Sequence, residues 1–228
     1  MTNAEILQLY DHIQSLGLFA DTLPLEELRR MVYRDQPSFM LATEVNFGEK
    51  HLLKICAYFC KVPDLETYFL QKYQITDHLP SDPTNEKSQT FYIHMGISVN
   101  LSEAFNLLQG RAVFKGIASP EEDQYFAWIL LNFHDKEPDG NFKITKYRSN
   151  GYDLEKILSN YPIVEMYNSD LKASIIKSLK NGNRREVTFR STNGKCTLKY
   201  IEANPATQSI RIYTVPKVVK HKKKKITH

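Results

Sequence analysis

The chain has 228 residues, 42% of them hydrophobic and 25% charged, which is enough to bury a core without a disulfide or a metal staple. Its net charge of +4 depends on six lysines beyond Pro216, because the remaining 24 basic residues face 26 acidic ones. This balance excludes a surface coated in positive charge. Three cysteines are too few for a disulfide framework and no apolar run could cross a bilayer, so we expect a cytoplasmic protein without a membrane partner.

Two helices are predicted at the start of the chain. Apolar residues at helical spacing indicate a helix over 3–15 that ends at Gly17, and a second helix over 24–32 that Thr22 can cap. The hydrophobic period then changes to two, which is typical of half-buried strands. These strands are predicted at 39–47, 53–59 and 68–75. The first unit is therefore a pair of helices followed by a three-strand meander.

A segment rich in proline and polar residues follows at 80–88. Its two prolines, Pro80 and Pro83, are expected to exclude regular structure, which predicts a linker between two lobes. The predicted divisions are an N-terminal helical and β-meander lobe at 1–79, the linker at 80–88, a C-terminal α+β domain at 89–216 and a disordered lysine-rich tail at 217–228.

Two further units follow the linker, each with a helix before a meander. Asn100 and Glu103 have capping-box spacing for a helix that ends at Gly110, and the last helix, over 169–180, is closed by Gly182. The strands predicted in this part of the chain are 90–95, 111–117, 124–134, 142–147, 186–190, 195–202 and 209–215. Turn signals such as the Asp-Gly and Asn-Gly pairs separate several of them.

The predicted fold class is α+β, with antiparallel three-strand meanders that are each preceded by a helix. The strand over 124–134 is apolar on both faces, so we expect it at the centre of its sheet. The last two units share a junction in which a glycine and one or two arginines lead from a helix into a strand. This junction is Gly110-Arg111 in one unit and Gly182-Asn183-Arg184-Arg185 in the other.

Seven short sequences between 88 and 205 form a distinctive set. They are QTFYI at 89–93, EAFNLLQGRAV at 103–113, YFAWI at 125–129, GNFK at 140–143, GYDLE at 151–155, SLKNGNR at 178–184 and IEANP at 201–205. In this set the chain resembles an uncharacterised family carried on Bacteroides-type conjugative transposons, catalogued as a domain of unknown function. The resemblance implies a mobile genetic element, where relatives lie near transfer and DNA-processing genes, and implies no enzymatic activity. Family members often end in a tail rich in glutamine and glycine, so the resemblance gives a lysine tail no role.

The lysine-rich tail is the first candidate site for nucleic acid. Its lysines are Lys217, Lys220, Lys222, Lys223, Lys224 and Lys225. Such a run can neutralise several phosphates without reading any base, and binding would then weaken with salt by a slope of about −0.9 for each phosphate engaged. The alternative is a solubilising terminus that has no specific partner.

A basic corner beyond the last helix is the second candidate. Four cations lie around the end of that helix, namely Lys177, Lys180, Arg184 and Arg185. The strand over 142–147 with its flanking arginine could add Lys143, Lys146 and Arg148 beside an exposed Tyr147. The alternative interpretation is that these cations complement the negative end of the helix, which stabilises it by roughly 0.3–1 kcal/mol each.

No group of residues has the pattern of a catalytic, metal or cofactor site. Cys56 and Cys60 share a face of a predicted strand, but zinc needs four ligands at close spacing. The histidines, His94 and His134 among them, accompany no nucleophile motif, and no glycine-rich loop precedes a helix. We therefore expect no enzyme, no cofactor and no small-molecule substrate. Trp128 lies among apolar neighbours and is predicted to pack in the core rather than to stack on bases.

Two hypotheses about function follow. The first is a non-catalytic accessory protein of a mobile genetic element that binds nucleic acid non-specifically through its basic tail and corner. The second is a protein-interaction or structural module without a nucleic-acid role, which would use sheet faces or strand edges to engage a protein of the same mobile element. An enzymatic alternative would need a cleft that gathers histidines or acidic turns.

Overall fold

The computed structural model describes residues 1–19, 25–48, 50–62, 64–93, 97–119 and 122–215. The helices are α1 (Asn3–Ser15), α2 (Leu25–Tyr33), α3 (Leu101–Leu108), α4 (Leu154–Ser159) and α5 (Ser169–Lys180). The strands are β1 (Ser38–Phe47), β2 (His51–Val62), β3 (Thr67–His78), β4 (Lys87–Tyr92), β5 (Val113–Ser119), β6 (Glu122–Lys136), β7 (Phe142–Arg148), β8 (Arg185–Arg190), β9 (Cys196–Asn204) and β10 (Ser209–Thr214). Within these ranges no helix is long and apolar enough to cross a membrane.

The strands form three antiparallel sheets, in the orders β1-β2-β3-β4, β5-β6-β7 and β10-β9-β8. This confirms the α+β class and the helix before each meander. It also confirms that β6 lies at the centre of its sheet. The predicted caps of α3 by Asn100 and Glu103 are present, with Asn100 Oδ1 accepting from the Glu103 backbone N–H at 2.9 Å. The predicted cap of α2 at Thr22 lies outside the described residues.

The first sheet has one strand more than the meander predicted for it. The strand predicted at 90–95 is β4, which begins at Lys87 and pairs with β3 across the proposed linker. The segment 80–88 is therefore not irregular throughout, because Pro83–Asn85 forms a single 3₁₀ turn, a place where proline fits at the first position. The division into two lobes at this segment remains a prediction.

Two hydrophobic cores share the second sheet. Alternate residues of β6 point to opposite faces, so that Ala127 and Ile129 lie in the first core with α1, α2, α3 and the first sheet, while Trp128 lies in the second. The second core is completed by α4, α5 and the third sheet. Trp128 is 1% exposed, which confirms its predicted packing. Each face of the sheet contributes to a core, and the helix ends that precede β5 and β8 meet beside it, where Arg111 bonds to the carbonyl oxygen of Gly182.

Candidate anion-binding site

The two glycine–arginine junctions are built on the same helix ending. Gly110 and Gly182 have φ angles of +71° and +80°, and each backbone N–H bonds to a carbonyl three residues earlier. The next residue, Arg111 in one case and Asn183 in the other, bonds through its backbone N–H to the carbonyl five residues earlier. This pair of hydrogen bonds is a Schellman motif, which confirms the predicted role of both glycines as helix caps.

The two junctions pack directly against each other. Arg111 Nε donates to the carbonyl oxygen of Gly182 at 3.0 Å, and Asn106 Nδ2 donates to the carbonyl oxygen of Asn181 at 2.7 Å. Asn106 is 3% exposed, and its Oδ1 accepts from the Arg111 guanidinium. The carbonyl end of α5 is thus satisfied by side chains of α3 and its junction, as a partly buried helix end requires.

Arg184 is held by a buried carboxylate. Its Nε donates to Glu202 Oε1 at 2.7 Å, and its guanidinium carbon lies 4.4 Å from the ring centroid of Tyr213. Tyr213 donates its hydroxyl to the other oxygen of Glu202 at 2.9 Å. Glu202 is only 3% exposed, so these contacts satisfy a charge that would be costly to bury alone. Arg211 is also engaged nearby, since it donates to the carbonyl oxygen of Gly110 at 3.1 Å.

Arg185 differs from the other arginines of this cluster. Its Nε is buried and bonds to no atom of the described residues, and its side chain has no ion pair with any of them. Arg185 lines a pocket of about 450 Å³ between α3 and the end of α5. The residues that line this arginine pocket are Phe47, Ser102, Phe105, Asn106, Arg111, Ser178, Asn183, Arg184 and Arg185.

The pocket has an excess of positive charge. Three guanidinium groups line it, and Glu202 is the carboxylate that ion-pairs with one of them. Burial lowers the pKa of Arg111, and the nearby charge of Glu202 opposes that shift. An arginine stays protonated at neutral pH even so, because the ordinary pKa of its guanidinium lies far above neutral pH. The arrangement offers planar N–H donors to an anion the size of a phosphate or a carboxylate.

The structure brings together part of the predicted basic corner. Arg184 and Arg185 both line the pocket, whereas Lys180 lies on another side of α5, with Nζ 4.8 Å from the ring centroid of Phe114. The predicted tail lysines lie outside the described residues. Arg111 was not among the predicted site residues, and the repeated glycine–arginine junction was the signal that could have indicated it.

Two of the cations of β7 have contacts of their own within the second sheet. β7 is separated from β5 by β6, and Arg111 directly precedes β5. The side chains of β7 therefore lie at the opposite edge of the sheet from Arg111. Lys143 forms an ion pair with Asp135 at 2.8 Å, and Arg148 lies over the ring of Tyr125. Tyr147 is partly buried against the second core rather than exposed.

The remaining sequence candidates show no assembled metal site. Cys60 Sγ lies 3.4 Å from Gln71 Oε1, and Cys56 is buried. Among the described residues no group of three or more histidine, cysteine, aspartate or glutamate side chains could hold a metal ion. A contact that the sequence did not indicate joins His51 Nδ1 to the buried Asp77 Oδ1 at 2.8 Å, beside Phe105. His94 lies outside the described residues.

Comparisons of the chain with known protein families, curated proteins and solved structures find no match. The resemblance to the transposon-borne family is therefore still a prediction.

Proposed function

We propose that the protein is a non-catalytic accessory protein of a mobile genetic element that binds nucleic acid through the arginine pocket and the lysine-rich segment 217–228. One observation carries this proposal: the guanidinium of Arg185 has no partner among the described residues and lies in a pocket with Arg111 and Arg184. The mobile-element setting is what the resemblance to the transposon-borne family implies, and the cytoplasmic location is what the cysteine content led us to expect.

Phosphate is the anion that this pocket suits best on a nucleic acid. Arginine presents donors in a rigid fork that matches two phosphate oxygens. Arg111 and Arg184 are already oriented by Gly182 and Glu202, so they lose little conformational freedom when an anion arrives. Arg185 can therefore give its donors to the ligand while its neighbours supply a fixed positive field. Contacts of this kind position a nucleic acid and read no sequence.

The pocket is tested with Arg185→Gln against the matched control Arg190→Gln. Both arginines lie on β8, at opposite ends, and both changes remove one charge. We expect Arg185→Gln to weaken binding of a fluorescent 16-base-pair duplex and to reduce the slope of log affinity against log salt by about 0.9, the value for one lost phosphate contact. Fluorescence anisotropy from low to moderate salt measures both. Equal effects of the two substitutions would remove the pocket from the proposal.

The lysine segment is tested by truncation after Pro216. Six lysines are lost, so the salt slope should fall by several units if they engage phosphates. An unchanged affinity would exclude the tail while leaving the pocket as the binding site.

A protein-interaction module is the second candidate, and β1 favours it. β1 is an edge strand of ten residues, Ser38–Phe47, in which Glu44 is the one charged side chain. Long edges with few charges pair with other strands. A dimeric mass in light scattering, together with no measurable affinity for nucleic acid, would favour this function over the first.

A further inference from the structure

Phe126 is a large aromatic side chain that the fold leaves in solvent. It lies on the same face of β6 as the buried Trp128, yet 53% of its surface is exposed. Its ring is stacked on Phe114 of β5, with centroids 5.6 Å apart and an angle of 11° between the planes. One ring face is thus supported by a neighbour, while the side chain remains open to a ligand.

The register of the second sheet explains this exposure. The residue opposite Phe126 on β5 is Gly116, which has no side chain to cover the ring, whereas Trp128 is opposite Phe114. Trp128 and Phe114 are themselves in contact, at 5.2 Å between centroids. The three rings run from buried Trp128 through Phe114 to exposed Phe126. Packing against Phe114 fixes the orientation of the outermost ring.

Lys180 adds a cation to this aromatic surface. Its Nζ lies 4.8 Å from the centroid of the Phe114 ring and forms no ion pair with the described residues. Two acidic side chains lie nearby, and neither bonds to Lys180, because Asp153 caps α4 and Glu155 pairs with Lys172. A pocket of about 390 Å³ is lined by Phe114, Trp128 and Lys180 and also by Asp153 and Glu155, and Phe126 lies outside its lining.

We propose that Phe126, Phe114 and Lys180 form a base-stacking platform for single-stranded nucleic acid. This inference rests on the proposed function, since it specifies single-stranded nucleic acid as the class of ligand that the arginine pocket binds. Every base has a flat π face that can stack on an exposed ring, and Lys180 can reach an adjoining phosphate. A duplex cannot use the platform, because its bases are stacked on one another.

The platform and the arginine pocket lie on two sides of one helix end. Lys180 is the last residue of α5, while Ser178 and Asn183, which flank it in sequence, line the arginine pocket. A single strand can therefore place a phosphate at Arg185 and a base at Phe126 by passing over the end of α5. A protein partner is less well matched, because the patch is one exposed ring beside a cation rather than a broad apolar surface.

The experiment compares Phe126→Ala with Tyr167→Ala, which removes an aromatic ring that is 88% exposed elsewhere. The probes are fluorescein-labelled oligo-dT of 12 nucleotides and a 12-base-pair duplex, at the same salt concentration. We expect Phe126→Ala to weaken oligo-dT binding by about 10-fold and duplex binding by less than about 2-fold. Phe126→Tyr, which retains a ring, should restore oligo-dT binding, and Tyr167→Ala should change neither affinity.

The outcomes separate this inference from the proposed function. If Arg185→Gln weakens both probes while Phe126→Ala changes neither, the platform is wrong and nucleic-acid binding stands. If Phe126→Ala weakens oligo-dT while Arg185→Gln changes nothing, the platform stands without the arginine pocket. If Phe126→Ala weakened the binding of both probes equally, the stacking role would be overturned. It would also be overturned if the Phe126→Ala variant had a lower solution mass in light scattering without losing affinity for oligo-dT, because Phe126 would then lie in a protein contact.

Discussion

The two helix-to-strand junctions share a cap and differ in what their arginines do. After Gly110, Arg111 turns inward and gives its Nε to the carbonyl oxygen of Gly182. After Gly182, asparagine takes the equivalent position, and the side chain of Arg185, at the start of β8, bonds to none of the described residues. The same local pattern thus gives an arginine that bonds within the protein in the first junction and an arginine whose side chain can bind a ligand in the second. The difference arises because Asn183, at the position equivalent to Arg111, makes the contact from the second junction, where its Oδ1 accepts from Asn106 Nδ2 at 2.8 Å.

The largest expected effect is that of Gly182→Ala, which tests how closely the junctions pack. A Cβ at this position would lie 2.8 Å from Val113 Cγ2, 2.9 Å from Asn106 Cβ and 3.0 Å from the Ala112 carbonyl oxygen, at a φ of +80°. Overpacking and the left-handed backbone together should lower the free energy of unfolding by about 3 kcal/mol. Urea denaturation measures this loss.

Gly140→Ala is the matched control for that substitution. Gly140 has a φ of +86°, but nothing lies within 4 Å of its Cβ position. Only the backbone cost of about 1 kcal/mol should appear. Equal losses for the two glycines would mean that the junctions are not in close contact.

Arg111→Met tests the internal tie, and we expect it to cost about 2 kcal/mol of unfolding free energy. Methionine keeps the apolar stem but leaves the Gly182 carbonyl and Asn106 Oδ1 without the donors they have now. Denaturation midpoints measure the effect. A loss below about 0.5 kcal/mol would show that water replaces the guanidinium at little cost.

Arg184→Gln should have a smaller effect, of about 1 kcal/mol. Glu202 loses its charged partner but keeps the hydroxyl of Tyr213. Adding Glu202→Gln in the same chain should recover part of the loss, because a neutral amide no longer needs a cation. Thermal unfolding of the single and double variants gives the coupling. A further loss in the double variant would contradict the ion-pair account.

Arg185→Gln should have the smallest effect on stability, within about 0.5 kcal/mol of the parent chain. The side chain of Arg185 makes no hydrogen bond or ion pair with the described residues, so its replacement breaks none. Its effect should be seen in nucleic-acid affinity instead. If Arg185→Gln destabilised the fold as much as Arg111→Met, the two junctions would not differ in the way described above.

Local signals predicted most of the secondary structure. α1 and α5 have the bounds predicted from helical spacing, cap residues and closing glycines. The predicted strands were also found close to their predicted positions, because turns and alternating polarity depend on neighbouring residues. The pairing of β4 with β3 was not predicted, since it is a contact across the predicted linker that no local pattern reports.

The candidate site was predicted only in part. Arg184 and Arg185 were identified because they follow a helix end in a dense run of cations. Lys180 belongs to the same run, yet it points toward Phe114, because a helix turns successive side chains to different sides. Phe126 was not identified, since its exposure depends on the glycine opposite it on β5.

The sequence by itself determined the α+β class, the helix before each meander and the capping role of Gly110 and Gly182, because each of these depends on residues within a few positions of one another. Only the tertiary structure decided that the two helix ends meet, that Arg111 bonds to the neighbouring end and that the side chain of Arg185 has no partner among the described residues. Such contacts join residues about 70 positions apart. Whether a cation bonds within the protein depends on the carbonyls and carboxylates that distant segments place beside it.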